Sequence, residues 1–271
     1  MRLSSILTGI FSFLIVSANG IAHGDTLRIG GTGAALGGMT LLGAAFEKQN
    51  PGAMIEVLPS LGSSGGIKAL IAGVIDLSVA SRVLKRDEKV QGVEARLYAI
   101  TPLAVATSSG TDADAVTTEQ LAQMYSGEMT YWPSGQPVRL VLRPMSETDT
   151  QILSGLSDGM SQAIKAAHQR PGLLKAINDQ DNADMLEQLD GSIGAIAMGQ
   201  IMTENRRVKV LPLNGILPEV GGDSSQDLRL RKSLYIVKTQ RQSNMASQFF
   251  DFVFSEKAQS ILAATNHAPA R

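Results

Sequence analysis

In Leu61-Gly-Ser-Ser-Gly-Gly-Ile-Lys-Ala-Leu70, a turn of serines and glycines stands directly before an apolar helical pattern. Four apolar residues follow the spacing i, i+3, i+4 and i+7, namely Ile67, Leu70, Ile71 and Val74. This spacing is typical of the buried face of a helix. We therefore predict a helix that begins near Ser64, packs this face on the core and holds its first turn out of the core.

The start of the predicted helix has the features of an anion site. The first N–H groups of a helix have no partner inside it and carry roughly half a positive charge, so they can bind an oxyanion without a Lys or Arg. Ser63 and Ser64 add hydroxyl donors, while Gly65 and Gly66 let a ligand approach the backbone closely. A second interpretation is open, in which Ser63 is an N-cap and the glycines form an ordinary tight turn.

The N-terminal residues predict an exported protein. Arg2 precedes a run at residues 6–18 that is almost entirely apolar, and small or polar residues follow it. This is the pattern of a signal peptide, and the run is too short to span a bilayer comfortably. We predict a signal peptide over residues 1–24, with cleavage after Ala18, after Gly20 or before Asp25, and a soluble periplasmic protein.

The composition excludes several kinds of site. Cysteine is absent, so a disulfide, a thiol nucleophile and a Cys-ligated metal are excluded. The 24 basic and 25 acidic residues nearly cancel, which leaves no basic field for nucleic acid or a membrane surface. Any preference for an anion must therefore come from local groups. About 245 of the 271 residues follow the predicted signal peptide, enough for one large domain or two lobes.

Strands and helices alternate along most of the remaining chain. Strands are predicted at residues 27–30, 54–58, 76–81, 98–106, 138–142, 193–197, 208–211 and 234–237. The first three strands send their carboxyl ends toward one sheet edge, which is where ligands bind in open α/β sheets. We predict an α/β fold of two lobes, each a mostly parallel sheet flanked by helices. Lobe 1 is predicted over 25–106 and 227–271, and lobe 2 over 107–226.

The motifs resemble those of the phosphate-binding proteins of bacterial phosphate ABC importers, which have the type II periplasmic binding-protein fold. The strongest part of the likeness is Gly62-Ser-Ser-Gly-Gly66, followed by a helix and the strand end Ala80-Ser81. Supporting parts are Gly31-Thr-Gly-Ala-Ala35, Arg143 before a hydroxyl-rich helix start, and Leu230-Arg-Lys-Ser-Leu-Tyr-Ile-Val237. The resemblance covers nearly the whole mature chain and implies a two-lobed solute-binding protein.

The resemblance also implies an oxyanion site between the lobes. Ser63 is similar to the family's serine ligand, and Arg143 is similar to its single arginine, which would hold the anion through two parallel N–H groups. Thr148 and Thr150 lie where the family has a hydroxyl-rich helix start, and Ser146 competes with Thr148 for that role. The predicted ligand-binding residues are Ala35, Leu36, Ser63, Ser64, Arg82, Arg143, Ser146, Thr148 and Thr150.

Three positions depart from the family pattern. Ala35 stands in place of a threonine, so only the backbone N–H groups of Ala35 and Leu36 remain there. Arg82 stands in place of an aspartate that accepts a proton from phosphate; it adds charge-assisted donors to the site unless its side chain is solvated at the surface. Asp149 replaces a glycine and follows Glu147 closely. These two acids weaken anion binding if they face the cleft and leave it intact if they point away.

We predict a periplasmic solute-binding protein that binds phosphate or a related oxyanion for ABC-type import. The alternative is a periplasmic sensor or accessory protein of the same fold, which binds a sulfate-like anion, a phosphonate or a phosphate ester and is not coupled to import. A permease in the inner membrane is implied by the resemblance alone, and a monomer is the default for the fold. We predict no catalytic residues, because two of the three histidines lie near the chain ends and His168 lies on a helix beside polar neighbours. We also predict no cofactor, no metal and no nucleic-acid partner.

Overall fold

The computed structural model describes residues 26–220 and 229–270. The predicted signal peptide and its cleavage positions lie outside these residues, so export stays a prediction. Across the described ranges, no helix combines the length and the apolar character needed to cross a membrane.

The first part of the chain alternates strands and helices as the sequence predicts. Its elements are β1 (Thr26–Gly31), α1 (Gly33–Gln49), β2 (Met54–Val57), α2 (Gly62–Ile71), β3 (Leu77–Ala80), α3 (Arg86–Lys89) and β4 (Val93–Ser108). Gly31 is needed where β1 passes into α1, because its φ is 143° and a Cβ there would overlap the Val79 carbonyl of β3. The turn at Gly31, between β1 and α1, therefore determines where α1 begins.

The second part of the chain contains shorter elements. They are α4 (Thr118–Ser126), β5 (Arg139–Leu142), α5 (Thr148–Ser154), α6 (Asp158–Gln169), β6 (Leu174–Lys175), α7 (Asp179–Gln188), β7 (Ser192–Ala197), α8 (Met198–Thr203), β8 (Val208–Leu211), β9 (Arg231–Thr239), α9 (Asn244–Val253), α10 (Glu256–Ala263) and β10 (Ala268–Pro269). Helix α4 begins with a capping box, in which Gln120 N donates to Thr117 Oγ1 at 3.1 Å and Thr117 N donates to Gln120 Oε1 at 2.9 Å.

Strand β4 joins the two halves of the sheet. The strand order is β2-β1-β3-β9-β4-β7-β5-β6, with β8 and β10 paired to β4 beside this path. Residues 93–102 of β4 pair with β9, and residues 103–108 pair with β7 and β8. Among the described strands, the pairings of β1 with β2 and β3, and of β5 with β6 and β7, are parallel; those that involve β4 or β9 are antiparallel. The predicted parallel sheets are thus parallel at their outer strands and antiparallel where the chain crosses.

Two large hydrophobic clusters lie on the two sides of this crossing. One packs α1, α9 and α10 on the strands around β1, and its Phe46 and Phe249 rings meet edge to face with centroids 5.3 Å apart. The other packs α4, α5 and α6 on β5, β7 and the end of β4. The α/β architecture is therefore the one that the sequence predicts, while the lobe boundaries stay a prediction.

Helix α2 differs from its prediction at both ends. It begins at Gly62 instead of near Ser64, and Ser63 does not cap it, since the N-cap position is Leu61. The helix ends at Ile71, because Gly73 adopts a φ of 68° and turns the chain. As a result Ile67 and Leu70 are buried as predicted, whereas the predicted burial of Ile71 and Val74 is wrong: their exposed fractions are 36% and 60%.

Candidate functional site

A cavity of about 470 Å³ opens between the first turn of α2 and the first turn of α5. It is lined by Ser60, Leu61, Gly62, Ser63, Ser64, Gly65, Arg82, Lys85, Ser146, Glu147, Thr148, Gln151, Ile177 and Asn178. Five of the nine predicted ligand-binding residues are therefore brought together at this cavity: Ser63, Ser64, Arg82, Ser146 and Thr148. The segment before α7 closes a third side of it, a contribution that the sequence analysis did not predict.

A chain of hydroxyl groups links α2 to α5 beside the cavity. Ser81 N donates to Ser63 Oγ at 3.0 Å, and the Ser63 and Ser81 hydroxyls are 3.2 Å apart. The Ser81 hydroxyl in turn lies 3.0 Å from Thr148 Oγ1, which also approaches the Ser81 carbonyl at 3.2 Å. Ser63 is therefore fixed by the end of β3 instead of capping its own helix, and its hydroxyl and that of Thr148 belong to one network.

Arg82 is fixed in the cavity wall by Glu88. Its two terminal nitrogens donate to the Glu88 carboxylate at 2.6 and 2.8 Å, and one of them also donates to Ser64 Oγ at 2.9 Å. The hydrogen bond from Arg82 lowers the pKa of Glu88, and the same bond raises the pKa of Arg82. Arg82 thus reaches the cavity as predicted, but it carries a carboxylate partner that offsets much of its charge.

Arg143 lies in a buried ionic cluster beside Glu147, which lines the cavity. Its side chain is 4% exposed, and its Nη2 atom lies 3.5 Å from Glu147 Oε2 and 3.4 Å from Asp179 Oδ1. Nη1 donates to the Ala176 carbonyl at 3.2 Å. Its Nε atom is buried and has no hydrogen-bond partner within residues 26–220 and 229–270. Arg143 is not among the residues that line the cavity, and its Nη2 atom pairs with two carboxylates of the chain itself.

Lys232 completes the buried cluster. Its Nζ atom lies 2.6 Å from Asp149 Oδ1 and 3.3 Å from Asp179 Oδ1, and its side chain is 2% exposed. Burial alone would lower the pKa of Lys232, but the charges of Asp149 and Asp179 outweigh this effect and raise it. Asp149 is therefore turned into the interior toward Lys232 and away from the cavity.

The start of α1 is occupied by the Asp179 carboxylate. Thr32 Oγ1 donates to Asp179 Oδ2 at 3.2 Å, and the Ala34 N–H also donates to this carboxylate. Burial alone would raise the pKa of Asp179, but Lys232, Arg143 and the Ala34 N–H together bring it below its usual value. The Ala35 N–H, predicted to bind an anion, instead donates to the Thr32 carbonyl at 3.1 Å.

The remaining predicted positions lie outside the main cavity. Thr150 is buried, and its hydroxyl donates to the Arg143 carbonyl at 3.2 Å. Leu36 lines a separate shallow cavity, with Thr40 and Asn178 also at its wall. Neither side chain shares the space enclosed by Ser63 and Thr148.

Glu147 faces the cavity, and this answers the question left open for the two acids of α5. Glu147 lines the space next to Thr148, and its carboxylate lies within ion-pair distance of Arg143. Burial raises the pKa of Glu147, against the opposing effect of Arg143. The cavity therefore contains a carboxylate that repels an anion whenever it is ionised.

Sequence reasoning missed Asp179 and Lys232. The run Asn178-Asp-Gln-Asp181 has the pattern of an ordinary capped helix start, and nothing in it signals burial. Lys232 did carry a signal, because the alternation of β9 places it on the buried face. The apolar residues that share this alternation are Leu230, Leu234 and Ile236.

The sequence also contains the spacing Gly155-Leu-Ser-Asp-Gly159, which matches the nucleophile turn of hydrolases. In the structure, Ser157 is the N-cap of α6 and accepts a hydrogen bond from Met160 N at 3.1 Å. The element before it is helix α5 and not the strand that the hydrolase motif requires. Ser157 is therefore a helix cap.

The family model of the PBP superfamily domain matches residues 17–257. The chain belongs to the PBP superfamily. Among curated relatives of this PBP-superfamily chain, the phosphate-binding protein PstS of Borreliella burgdorferi is 24% identical over 208 residues, which cover 74% of this chain and 75% of the relative. Phosphate-binding protein PstS 2 of Streptococcus agalactiae is 32% identical over 88 residues, 32% of this chain and 30% of the relative.

Solved structures show the same PBP-superfamily fold. A phosphate ABC transporter substrate-binding protein from Clostridium perfringens, solved with bound phosphate, gives a TM-score of 0.77 at 21% identity over 91% of this chain and 100% of its own. An ABC-type phosphate transport receptor from Vibrio cholerae gives a TM-score of 0.61 at 20% identity, over 91% of this chain and 100% of its own. The periplasmic molybdate-binding protein of Azotobacter vinelandii gives a TM-score of 0.62 at 17% identity, over 90% of this chain and 100% of its own. The predicted type II periplasmic binding-protein fold is confirmed.

Proposed function

We propose that this protein binds phosphate or a related oxyanion in the cavity between α2 and α5 and serves ABC-type import. The observation that carries the proposal is the first turn of α2, whose residues 62–65, with the Ser63 and Ser64 hydroxyls among them, line a cavity also lined by Thr148. The first N–H groups of a helix have no partner inside it and favour an anion. The names of the relatives describe phosphate-binding and transport proteins. Within the proposal, the ligand contacts are Ser63, Ser64, Arg82, Ser146 and Thr148.

The remaining parts of the proposal follow from the family. We take residues 25–106 and 227–271 as one lobe and 107–226 as the other, with the cavity between them. The protein is exported to the periplasm, acts as a monomer and delivers its anion to a permease in the inner membrane. Catalysis has no part in this role.

The charges around the cavity favour selection by hydrogen bonds over selection by net charge. Arg82 is paired with Glu88, and Lys85 and Glu147 bring opposite charges to the wall. Hydroxyl and N–H donors discriminate tetrahedral oxyanions by geometry, and each hydrogen bond to a charged group is worth about 1.5–3 kcal/mol. The volume of about 470 Å³ also leaves room for a substituent on the anion.

Titration calorimetry with a panel of anions tests the proposal. The panel contains phosphate, sulfate, molybdate, a phosphonate and a phosphate ester, and we expect a tetrahedral oxyanion to bind with micromolar or tighter affinity. Ser63→Ala and Thr148→Val should each weaken that affinity by about tenfold or more, because each removes a donor to a charged ligand.

Ser134→Ala is the matched control, since this exposed serine lies in a loop that does not line the cavity. Its affinity should equal that of the native protein. An absence of heat with every anion would contradict the proposed function. Unchanged affinity in both Ser63→Ala and Thr148→Val would contradict the proposed location of the ligand.

A further inference from the structure

The Asp179 carboxylate has the surroundings of a bound anion. It accepts hydrogen bonds from Thr32 Oγ1 at 3.2 Å and from the Ala34 N–H in the first turn of the 17-residue helix α1. Arg143 Nη2 and Lys232 Nζ lie 3.4 and 3.3 Å from its Oδ1 atom. A helix start, a hydroxyl, a guanidinium and an ammonium thus converge on one carboxylate that is 3% exposed.

The backbone is shaped to admit this carboxylate. A Cβ on Gly33 would lie 2.8 Å from the Cβ of Asp179, so only glycine lets the start of α7 approach the start of α1 this closely. Gln180, the next residue of α7, donates to the Gly33 carbonyl at 3.2 Å and holds the two helix starts together. The contact joins residues 147 positions apart in the chain.

Four donors surround the Asp179 carboxylate, which matches the number of hydrogen bonds that its two oxygens can accept. Arg143 is 5% exposed, and its buried Nε atom has no partner among the described residues. The cluster contains two cations, Arg143 and Lys232, against the buried carboxylates of Asp149 and Asp179, and Arg143 also pairs with the partly exposed carboxylate of Glu147. Removing the Asp179 carboxylate therefore leaves each cation with one carboxylate partner and leaves a set of donors directed at a vacant position.

We propose that Asp179 is a built-in ligand of an inner anion site, formed by Thr32, the start of α1, Arg143 and Lys232, and that this site accepts a small external carboxylate once the side chain is removed. In the native chain, Asp179 keeps external anions away from α1. An external oxyanion is then confined to the outer cavity, where Ser63 and Thr148 are available and Arg143 is not. Asp179 therefore determines which half of the cleft a ligand uses.

Chemical rescue of Asp179→Ala tests this inference. The melting temperature of the variant is measured in sodium formate and in sodium chloride of equal ionic strength. Formate supplies the missing carboxylate, so at 100 times its Kd it should raise the melting temperature by about 5–10 °C above the value in chloride. The native protein should respond equally to both salts, because its inner site is already filled.

Two further variants make the result specific. Asp181→Ala removes an acid from the same turn of α7 whose side chain contacts Asn178 and not the cluster, so it should respond equally to both salts. Asp179→Asn leaves an amide in the position and should show no preference for formate. A formate effect of equal size in either variant would overturn the assignment.

An absence of any formate effect in Asp179→Ala would also overturn it. If this variant does not fold in chloride, it is refolded in each salt; recovery in formate alone supports the inference, and equal failure in both salts contradicts it. These measurements do not use phosphate binding by the native chain, so failure of the proposed function and failure of this inference give different results.

Discussion

Glu147 is the residue that most directly opposes anion binding in the outer cavity. Glu147 lines the cavity beside Thr148, and burial raises the pKa of its carboxyl group above the ordinary value. Above that pKa the side chain is negative and repels a bound oxyanion; as the pH falls through that pKa, the charge and the repulsion are lost. Protonation of Glu147 should therefore increase the anion affinity toward acidic pH, separately from any titration of the anion itself.

We predict that Glu147→Gln binds phosphate about tenfold more tightly than the native protein at a pH above the Glu147 pKa, a difference of about 1.4 kcal/mol. The advantage should disappear as the pH falls, because the native side chain becomes neutral. Calorimetric Kd values for both proteins across a pH series measure this, and their ratio cancels the titration of phosphate itself.

Glu94→Gln is a suitable control, since Glu94 is an exposed acid on β4 that does not line the cavity. Its Kd should follow that of the native protein at every pH. If Glu147→Gln binds phosphate more weakly than the native protein, the carboxylate is a ligand contact and not a source of repulsion.

Single residues were predicted from the sequence to different degrees. The motif around Ser63 predicted the helix and the two hydroxyls near its start, because these features depend on local spacing alone. In the structure both serines line the cavity. Arg82 lines the cavity, but its pairing with Glu88 was not predicted, since a salt bridge depends on how the chain turns after β3. Asp179 lacked any local signal, because its partners come from distant parts of the chain.

At the scale of elements, the position of the α2 first turn depends on how closely α2 packs on β1. A Cβ on Gly66 would lie 2.6 Å from both Gly31 Cα and Ser78 Oγ, and one on Gly65 would lie 3.3 Å from Leu61 Cβ alone. The two glycines are neighbours in one helix, so alanine increases the intrinsic helix propensity equally at both. They differ only in the space that a side chain would meet.

Gly66→Ala should therefore lower the free energy of unfolding by about 1–3 kcal/mol, the usual cost of inserting a methyl group into a packed interior. Gly65→Ala should change it by less than about 1 kcal/mol. Urea denaturation of both variants and the native protein measures the difference. Equal stability of the two variants would show that α2 is not held by contact with β1.

The elements themselves were largely predictable, because hydrophobic alternation and capping residues are local signals. The strands predicted at residues 27–30, 54–58 and 208–211 correspond to β1, β2 and β8. Val74 was assigned to the buried face of α2 because its spacing fits a helix, but Gly73 ends that helix first. The mixed direction of the sheet follows from how β4 and β9 cross between its halves, which no local pattern encodes.

At the scale of the whole molecule, a buried ionic cluster ties together elements from both halves of the chain. Lys232 on β9 reaches Asp149 on α5 and Asp179 on α7, and Asp179 reaches Thr32 at the start of α1. Buried charges are costly unless they are paired and hydrogen-bonded, so this cluster is sensitive to how the two halves meet. Such pairings depend on the three-dimensional structure. For this reason the sequence predicted the residues that line the cavity better than those of the buried ionic cluster next to it.

A crystal structure of the native protein with bound phosphate tests the central claim most directly, because it locates the anion and the Asp179 carboxylate together. We predict phosphate in the outer cavity, within hydrogen-bond distance of Ser63 and Thr148, with Asp179 still paired to Arg143 and Lys232. Phosphate at the start of α1, with the Asp179 carboxylate displaced from Thr32, would contradict this account.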